Sequence, residues 1–113
     1  MKLPAPDQAF VDIRKLREYC LNPTHARGKH KARVFTSALG LTAKDAEWLR
    51  DELIHQAHSG DAILVQKDEF GQRYVLDFHC RRAGRSAWIR TRWIVRDEES
   101  FPRLTTCFVR GET

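Results

Sequence analysis

Two periods divide the chain at Gly60. Before it, apolar residues recur three or four positions apart, the spacing of one helix face; beyond it they come in short runs rich in Val, Ile, Thr and aromatics. Residues 1–11 read as an extended lead-in with prolines at Pro4 and Pro6. Asp12 can cap a first helix over about 13–21, where Ile13, Leu16 and Cys20 share a face and Asn22-Pro23 stops the run. A second helix is predicted over 29–39, with Ala32, Phe35 and Leu39 as its apolar stripe and Gly40 as a helix-ending glycine. Thr42, followed three residues later by Asp45, starts a third, with Ala46, Leu49, Leu53 and Ala57 on its core face. It ends at "HSGD", residues 58–61.

The runs "AILVQK", "RYVLDFHC", "SAWIRTRWIV" and "RLTTCFV" follow, separated by "DEFGQ", "RRAGR" and "DEESFP". These are strand and hairpin signals. In the third run Ala87, Ile89, Thr91, Trp93 and Val95 share one face, the better candidate for the core. Trp88, Arg90, Arg92, Ile94 and Arg96 share the other. The expected fold is α+β: about three N-terminal helices packed on one face of a roughly four-stranded antiparallel sheet. Residues 1–113 are expected to form one domain, with 12–60 its helical part and 61–110 its sheet. Strand order is not legible at this stage.

Charge adds a hint about partners. Lys and Arg outnumber Asp and Glu by 20 to 15, for a net charge of +5, which suits a polyanion such as nucleic acid. Cys20, Cys80 and Cys107 are odd in number and widely spaced, without a C-x-x-C, so a reducing cytosol is the expected location. "MKLPAPDQAF" has no apolar core of a signal peptide, and the longest apolar runs are far too short to span a bilayer. No membrane association and no cofactor are expected. His55 with His58, and His79-Cys80, lack a tight ligand pair, so no metal site is expected either. There is no Gly-rich phosphate loop and no G-x-S-x-G.

"NPTHARGKHKARVF", residues 22–35, carries two histidines with Arg27, Lys29, Lys31 and Arg33 around one turn. It joins one helix end to the next helix start, where unpaired N–H groups favour an anion. Cations in a first helical turn are mildly unfavourable, so a site for an external anion is one explanation and a solvated loop another. Cleaving RNA without a metal needs a base for the 2′-hydroxyl, an acid for the leaving 5′-oxygen and cations for the phosphate. His25 and His30, with Lys29, Lys31 and Arg33, supply those residue types. Arg90, Arg92 and Arg96 interleave with Trp88 on one strand face, and Arg73 and His79 share a face of the strand before, a pattern that can hold phosphates and stack bases. Thr105 and Thr106 face opposite ways on the last strand, so only one can face a cleft.

Lys15 to Leu41, "KLREYCLNPTHARGKHKARVFTSALGL", resembles the signature of an uncharacterised bacterial domain family, roughly K-L-x-x-Y-x-L-N-P-x-H-P-x-G-x-x-K-A-x-x-F-x-x-x-L-G. Ala26 departs from it, standing where proline is usual; His30 is not a signature position. "GQRYVLDF" and "FPRLTTCFV" resemble the family's C-terminal half. Members resemble toxin-type domains of bacterial polymorphic toxins, often beside a small antitoxin-like gene, and the helices-then-sheet order is similar to the barnase–EndoU–colicin–RelE ribonucleases. The resemblance implies a metal-independent endoribonuclease that leaves a 2′,3′-cyclic phosphate. Carried over by residue, it implies His25 as acid or base, Lys31 on the phosphate, and Thr105 or Thr106 on a phosphate oxygen. Arg90 or Arg92 would grip the RNA backbone. The alternative is a non-catalytic module that binds RNA or a small antitoxin-like protein, with Asn22 and His25 tying down the loop and Lys31 paired to Asp77 or Asp12. Oligomeric state is open.

Overall fold

The computed structural model describes residues 1–111, and over them the chain is the expected α+β fold. Helix α1 runs Ile13–Lys15 and continues as a π turn over Leu16–Cys20; α2 is Lys29–Leu39 and α3 is Ala46–Ser59. Strands β1 (Ala62–Asp68), β2 (Gly71–Arg82), β3 (Arg85–Arg96) and β4 (Arg103–Val109) form an antiparallel meander in the order β1-β2-β3-β4.

The local signals act as their chemistry requires. The Asp12 carboxylate accepts the Arg14 backbone N–H at 3.0 Å and caps α1. At the end of α2, Gly40 takes φ 68°, its N–H reaching the Thr36 carbonyl as in an αL stop, and that of Leu41 reaches the Phe35 carbonyl. Thr42 and Asp45 make a reciprocal capping box, but the first turn it opens is a 3-10 turn, Ala43–Asp45, that feeds α3. Asp45 also pairs with Arg82 at 2.9 Å, tying that turn to β2.

Leu16, Phe35, Leu39, Leu49 and Leu53 from the helical part meet Tyr74, Leu76, Phe78, Ile89, Trp93 and Leu104 from the sheet in one buried cluster. The core face of β3 is the predicted one: Ile89, Thr91 and Trp93 are buried. Thr91 is the one buried polar residue on it, and its hydroxyl donates to the Leu76 carbonyl (2.6 Å) while accepting the Trp93 indole N–H (2.7 Å).

Two features depart from the expectations, and a third lies outside them. The first helix changes to a π turn, in which the Leu21 N–H bonds the Leu16 carbonyl at 2.8 Å; apolar spacing does not reveal one extra residue per turn. The lead-in is not extended throughout: Pro6–Gln8 is a 3-10 turn after Ala5 at φ 41°, and Phe10 then bridges in parallel to Arg103 at the edge of β4. Ile94 is buried although it lies on the outward face of β3; it is paired with Arg103 and shares the wall of a cavity with Phe10. The most apolar run, in β1, is the least buried strand: Ile63, Leu64 and Val65 are exposed on a sheet edge that bulges at Val65. No helix among the described residues is long and apolar enough to cross a membrane.

Candidate functional site

The segment after α1 is built by its own side chains. Asn22 accepts the Thr24 N–H (2.9 Å) and hydroxyl (2.8 Å) at Oδ1, and donates through Nδ2 to the Glu18 carbonyl at 3.1 Å. His25 Nδ1 accepts two backbone N–H groups, of Arg27 and Gly28, each at 3.0 Å. The imidazole thus serves amides at the entry to α2 that the sequence offered to an external anion. With that lone pair in use, the neutral ring carries its hydrogen on Nε2. The ring stands edge-on to Tyr19, centroids 4.8 Å apart at 83°. Gly28 lies directly against the π turn: a side chain there would collide with the Tyr19 carbonyl oxygen and come within 3.0 Å of Tyr19 Cδ1.

Tyr19 is also the near wall for Lys31. The ammonium donates to the Tyr19 hydroxyl at 3.0 Å and to Thr106 Oγ1 at 3.1 Å, and lies 4.8 Å from the Tyr19 ring centroid and 5.7 Å from that of Phe108. Three elements converge here: the π turn brings Tyr19, α2 brings Lys31, and β4 brings Thr106 and Phe108. Lys31 has no carboxylate partner among the described residues. Asp12 is held by Arg14, and Asp77 by Arg90 (3.0 Å) and Arg110 (3.4 Å). Arg92 is also without a carboxylate among the described residues, its guanidinium 5.8 Å from the ring centroid of Phe108. A cation that keeps one donor hydrogen beside a phenol and a second unpaired cation is a site lacking an acceptor with several oxygens.

The other predicted residues sort by location. Thr106 is in the site; Thr105 donates to the Arg92 carbonyl at 3.1 Å and helps hold the strands together. His30 is exposed and lines an open cavity of about 250 Å³ with Lys31, Val34, Phe108 and Val109. Lys29 is half-buried and Arg33 exposed on α2, and neither has a carboxylate partner among the described residues. Arg90 is clamped in a two-point pair with Asp77, and Arg73 donates to Asp68 at 2.7 Å, so both carry their counter-ion with them. Tyr19 and Phe108 are the two members that residue chemistry did not single out. Tyr19 was visible only as a position of the family signature, and Phe108 only as an aromatic in a strand.

Beneath the site the buried thiols of Cys20 and Cys107 face each other. Cys20 is pulled below the ordinary thiol range, first by its hydrogen bond with Cys107 and further by Lys31 and Thr106, against the effect of burial; Cys107 is pushed well up by Cys20 and by burial. Among the described residues no group of three or more His, Cys, Asp or Glu could hold a metal ion.

Comparison with known proteins adds a family and a fold. Residues 2–111 match the DUF6883 family, described as a domain of unknown function, and the chain belongs to it. A solved structure described as a contact-dependent growth inhibition toxin–immunity protein complex from Klebsiella pneumoniae 342 contains a chain of similar fold. It aligns with a TM-score of 0.66 at 16% identity, over 88% of this chain and 98% of that one. No curated protein matches.

Proposed function

We propose that this member of the DUF6883 family is a toxin-type, metal-independent endoribonuclease whose phosphate site is the Lys31 cradle. The observation that carries the reading is the Lys31 ammonium, half-buried without a carboxylate among the described residues, held by two hydroxyls from separate elements, with Arg92 near the same Phe108 ring. Lys31 and Arg92 hold the scissile phosphate and take up the charge that grows on its oxygens; the Tyr19 and Thr106 hydroxyls orient it. His30, on the wall of the same cavity, is the imidazole placed to move a proton. His25 becomes a positioning residue, because its Nδ1 lone pair holds the loop. In the reaction a base takes the 2′-hydroxyl proton and the 2′-oxygen bonds to phosphorus. The 5′-oxygen leaves with a proton from an acid, giving a 2′,3′-cyclic phosphate and a 5′-hydroxyl. The toxin-type half of the proposal draws support from the fold shared with one chain, toxin or immunity protein, of the toxin–immunity complex.

The test is cleavage of total bacterial RNA in EDTA by the parent, Lys31→Ala, His30→Ala and His25→Ala. Lys31→Ala is expected to lose about 10²–10³-fold in rate, the usual scale for one transition-state donor. His30→Ala is expected to lose about 10²–10⁴-fold. His25→Ala should lose activity only in step with thermal stability. A second reading is favoured by one specific observation, the exposed Ile63, Leu64 and Val65 on the open edge of β1: a module that pairs with a partner protein along this strand, without catalysis. A parent that leaves RNA intact at large protein excess selects it.

A further inference from the structure

Beyond the Lys31 cradle, the same edge of the sheet continues into a second opening. A cavity of about 410 Å³ is lined by Val34, Ala38, His79, Trp88, Val109 and Arg110. It shares Val34 and Val109 with the cavity at His30 and Lys31, so the two form one groove between α2 and the end of β4. Trp88 stands in it 43% exposed, its ring 5.3 Å from that of His79 at an interplanar angle of 62°. An indole left this open is an uncovered apolar plane of a size that matches a nucleobase.

The sheet register aligns the parts. Thr106 is opposite Arg92 and Phe108 opposite Arg90, while the Arg110 N–H donates to the Trp88 carbonyl at 2.9 Å. Lys31, Phe108 and the Trp88–Arg110 pair therefore lie in sequence along one edge. Arg110 lies four residue steps beyond Thr106, about 13 Å of extended chain, a span that an extended dinucleotide covers. Among the described residues, neither cavity is lined by a carboxylate. The acid of this sheet face nearest the groove, Asp77, is held between Arg90 and Arg110. The groove is thus cationic, with an aromatic plane at one end and a phosphate-type cradle at the other.

We infer that the Trp88–His79 pair is a base-binding subsite, and that the substrate is single-stranded RNA with one unstacked base seated on Trp88 while its neighbouring phosphate reaches Lys31. The inference rests on the ribonuclease reading for the identity of the phosphate site, not for the stacking. A base inside a duplex cannot present its face to an indole, so the subsite selects single strands.

The experiment uses the intact protein and a short 2′-O-methyl oligonucleotide, which has no 2′-hydroxyl to attack with. Binding is followed by tryptophan fluorescence and by anisotropy of a labelled strand. The single strand is expected to quench the fluorescence, and Trp88→Ala to abolish that quench and weaken binding about 5- to 150-fold. Trp88→Phe should retain most of the affinity, and His79→Ala should lose less than Trp88→Ala. Because Trp88 projects from the core, the variants should melt with the parent. Equal affinity of Trp88→Ala and parent overturns the subsite, as does a duplex of the same sequence, or polyglutamate, binding as tightly as the single strand. The two readings fail separately. RNA cleavage by the parent with unchanged KM in Trp88→Ala sinks the subsite alone. Trp88-dependent binding without cleavage keeps the subsite and sinks the ribonuclease.

Discussion

Gly28→Ala tests the joint on which the candidate site is built. Gly28 sits at φ −90° and ψ −11°, a right-handed conformation open to any residue, just before α2. Backbone considerations alone therefore favour alanine, by about 0.4–1 kcal/mol through the unfolded chain. The structure reverses the sign. A methyl group there overlaps the Tyr19 carbonyl oxygen and crowds Tyr19 Cδ1 at 3.0 Å, and the nearest atoms are backbone, which cannot swing aside. Overpacking of this kind costs about 1–3 kcal/mol. The net is a loss of about 1–2 kcal/mol, or about 3–8 °C in Tm for a domain of this length. Thermal melts followed by circular dichroism measure it, with Gly111→Ala, where a methyl group meets nothing within 4 Å among the described residues, as the silent control. Because the collision falls on Tyr19, the hydroxyl that holds Lys31 moves too, so RNA cleavage should drop by more than the stability loss explains. A rise in Tm for Gly28→Ala refutes the contact and, with it, the placement of Tyr19 against the loop.

Thr91→Val keeps the shape of the core but strands the buried Trp93 indole N–H, so the urea midpoint should fall by the equivalent of about 1–3 kcal/mol with an unchanged m-value; an unchanged midpoint would show that the indole finds another acceptor. Asp12, Asp68 and Glu99 are each held below the ordinary carboxylate range, by hydrogen bonds from Arg14, Arg73 and Arg103 respectively. A depressed folded value contributes stability above the unfolded value and loses it as pH falls through the folded one. Tm should therefore be flat from neutral pH to about 5 and decline below about 4, with a shallower decline in Glu99→Gln. A Tm that falls between pH 7 and 5 instead refutes this account.

Much of the fold was legible because each element carries its own period and punctuation. The bounds of α2 follow from Gly28, the Ala32, Phe35 and Leu39 stripe and Gly40, and the strands from their alternation and hairpin residues. What was not legible depends on contacts between distant segments. Phe10 returns to the β4 edge and shares a cavity wall with Ile94, and nothing near Ile94 in the chain announces it. The exposure of Ile63 to Val65 follows from β1 being an edge strand, and strand order is not written in any single strand. The site divides the same way. Lys31 and Thr106 stood out as residue types, but they are 75 residues apart and only the folded chain shows which threonine meets the lysine. His25 stood out because imidazole chemistry permits an acid–base role; that its Nδ1 accepts the amides two and three residues ahead depends on how the loop folds back, and residue type alone does not show it.

The π turn at Leu16–Cys20 can be viewed as an insertion preserved in the backbone. Relative to a regular helix it holds one residue more between fixed ends, and each helical residue turns the chain by about 100°. Removing one residue from this turn would restore an ordinary helix and rotate Tyr19 by that angle against Leu16, away from His25, Gly28 and Lys31 together. One codon gained or lost in this stretch is thus enough to assemble or dismantle the cradle, while the apolar spacing that drives folding hardly changes. In chains of this fold that lack the extra residue, a tyrosine at the aligned position would not be the same tyrosine in space.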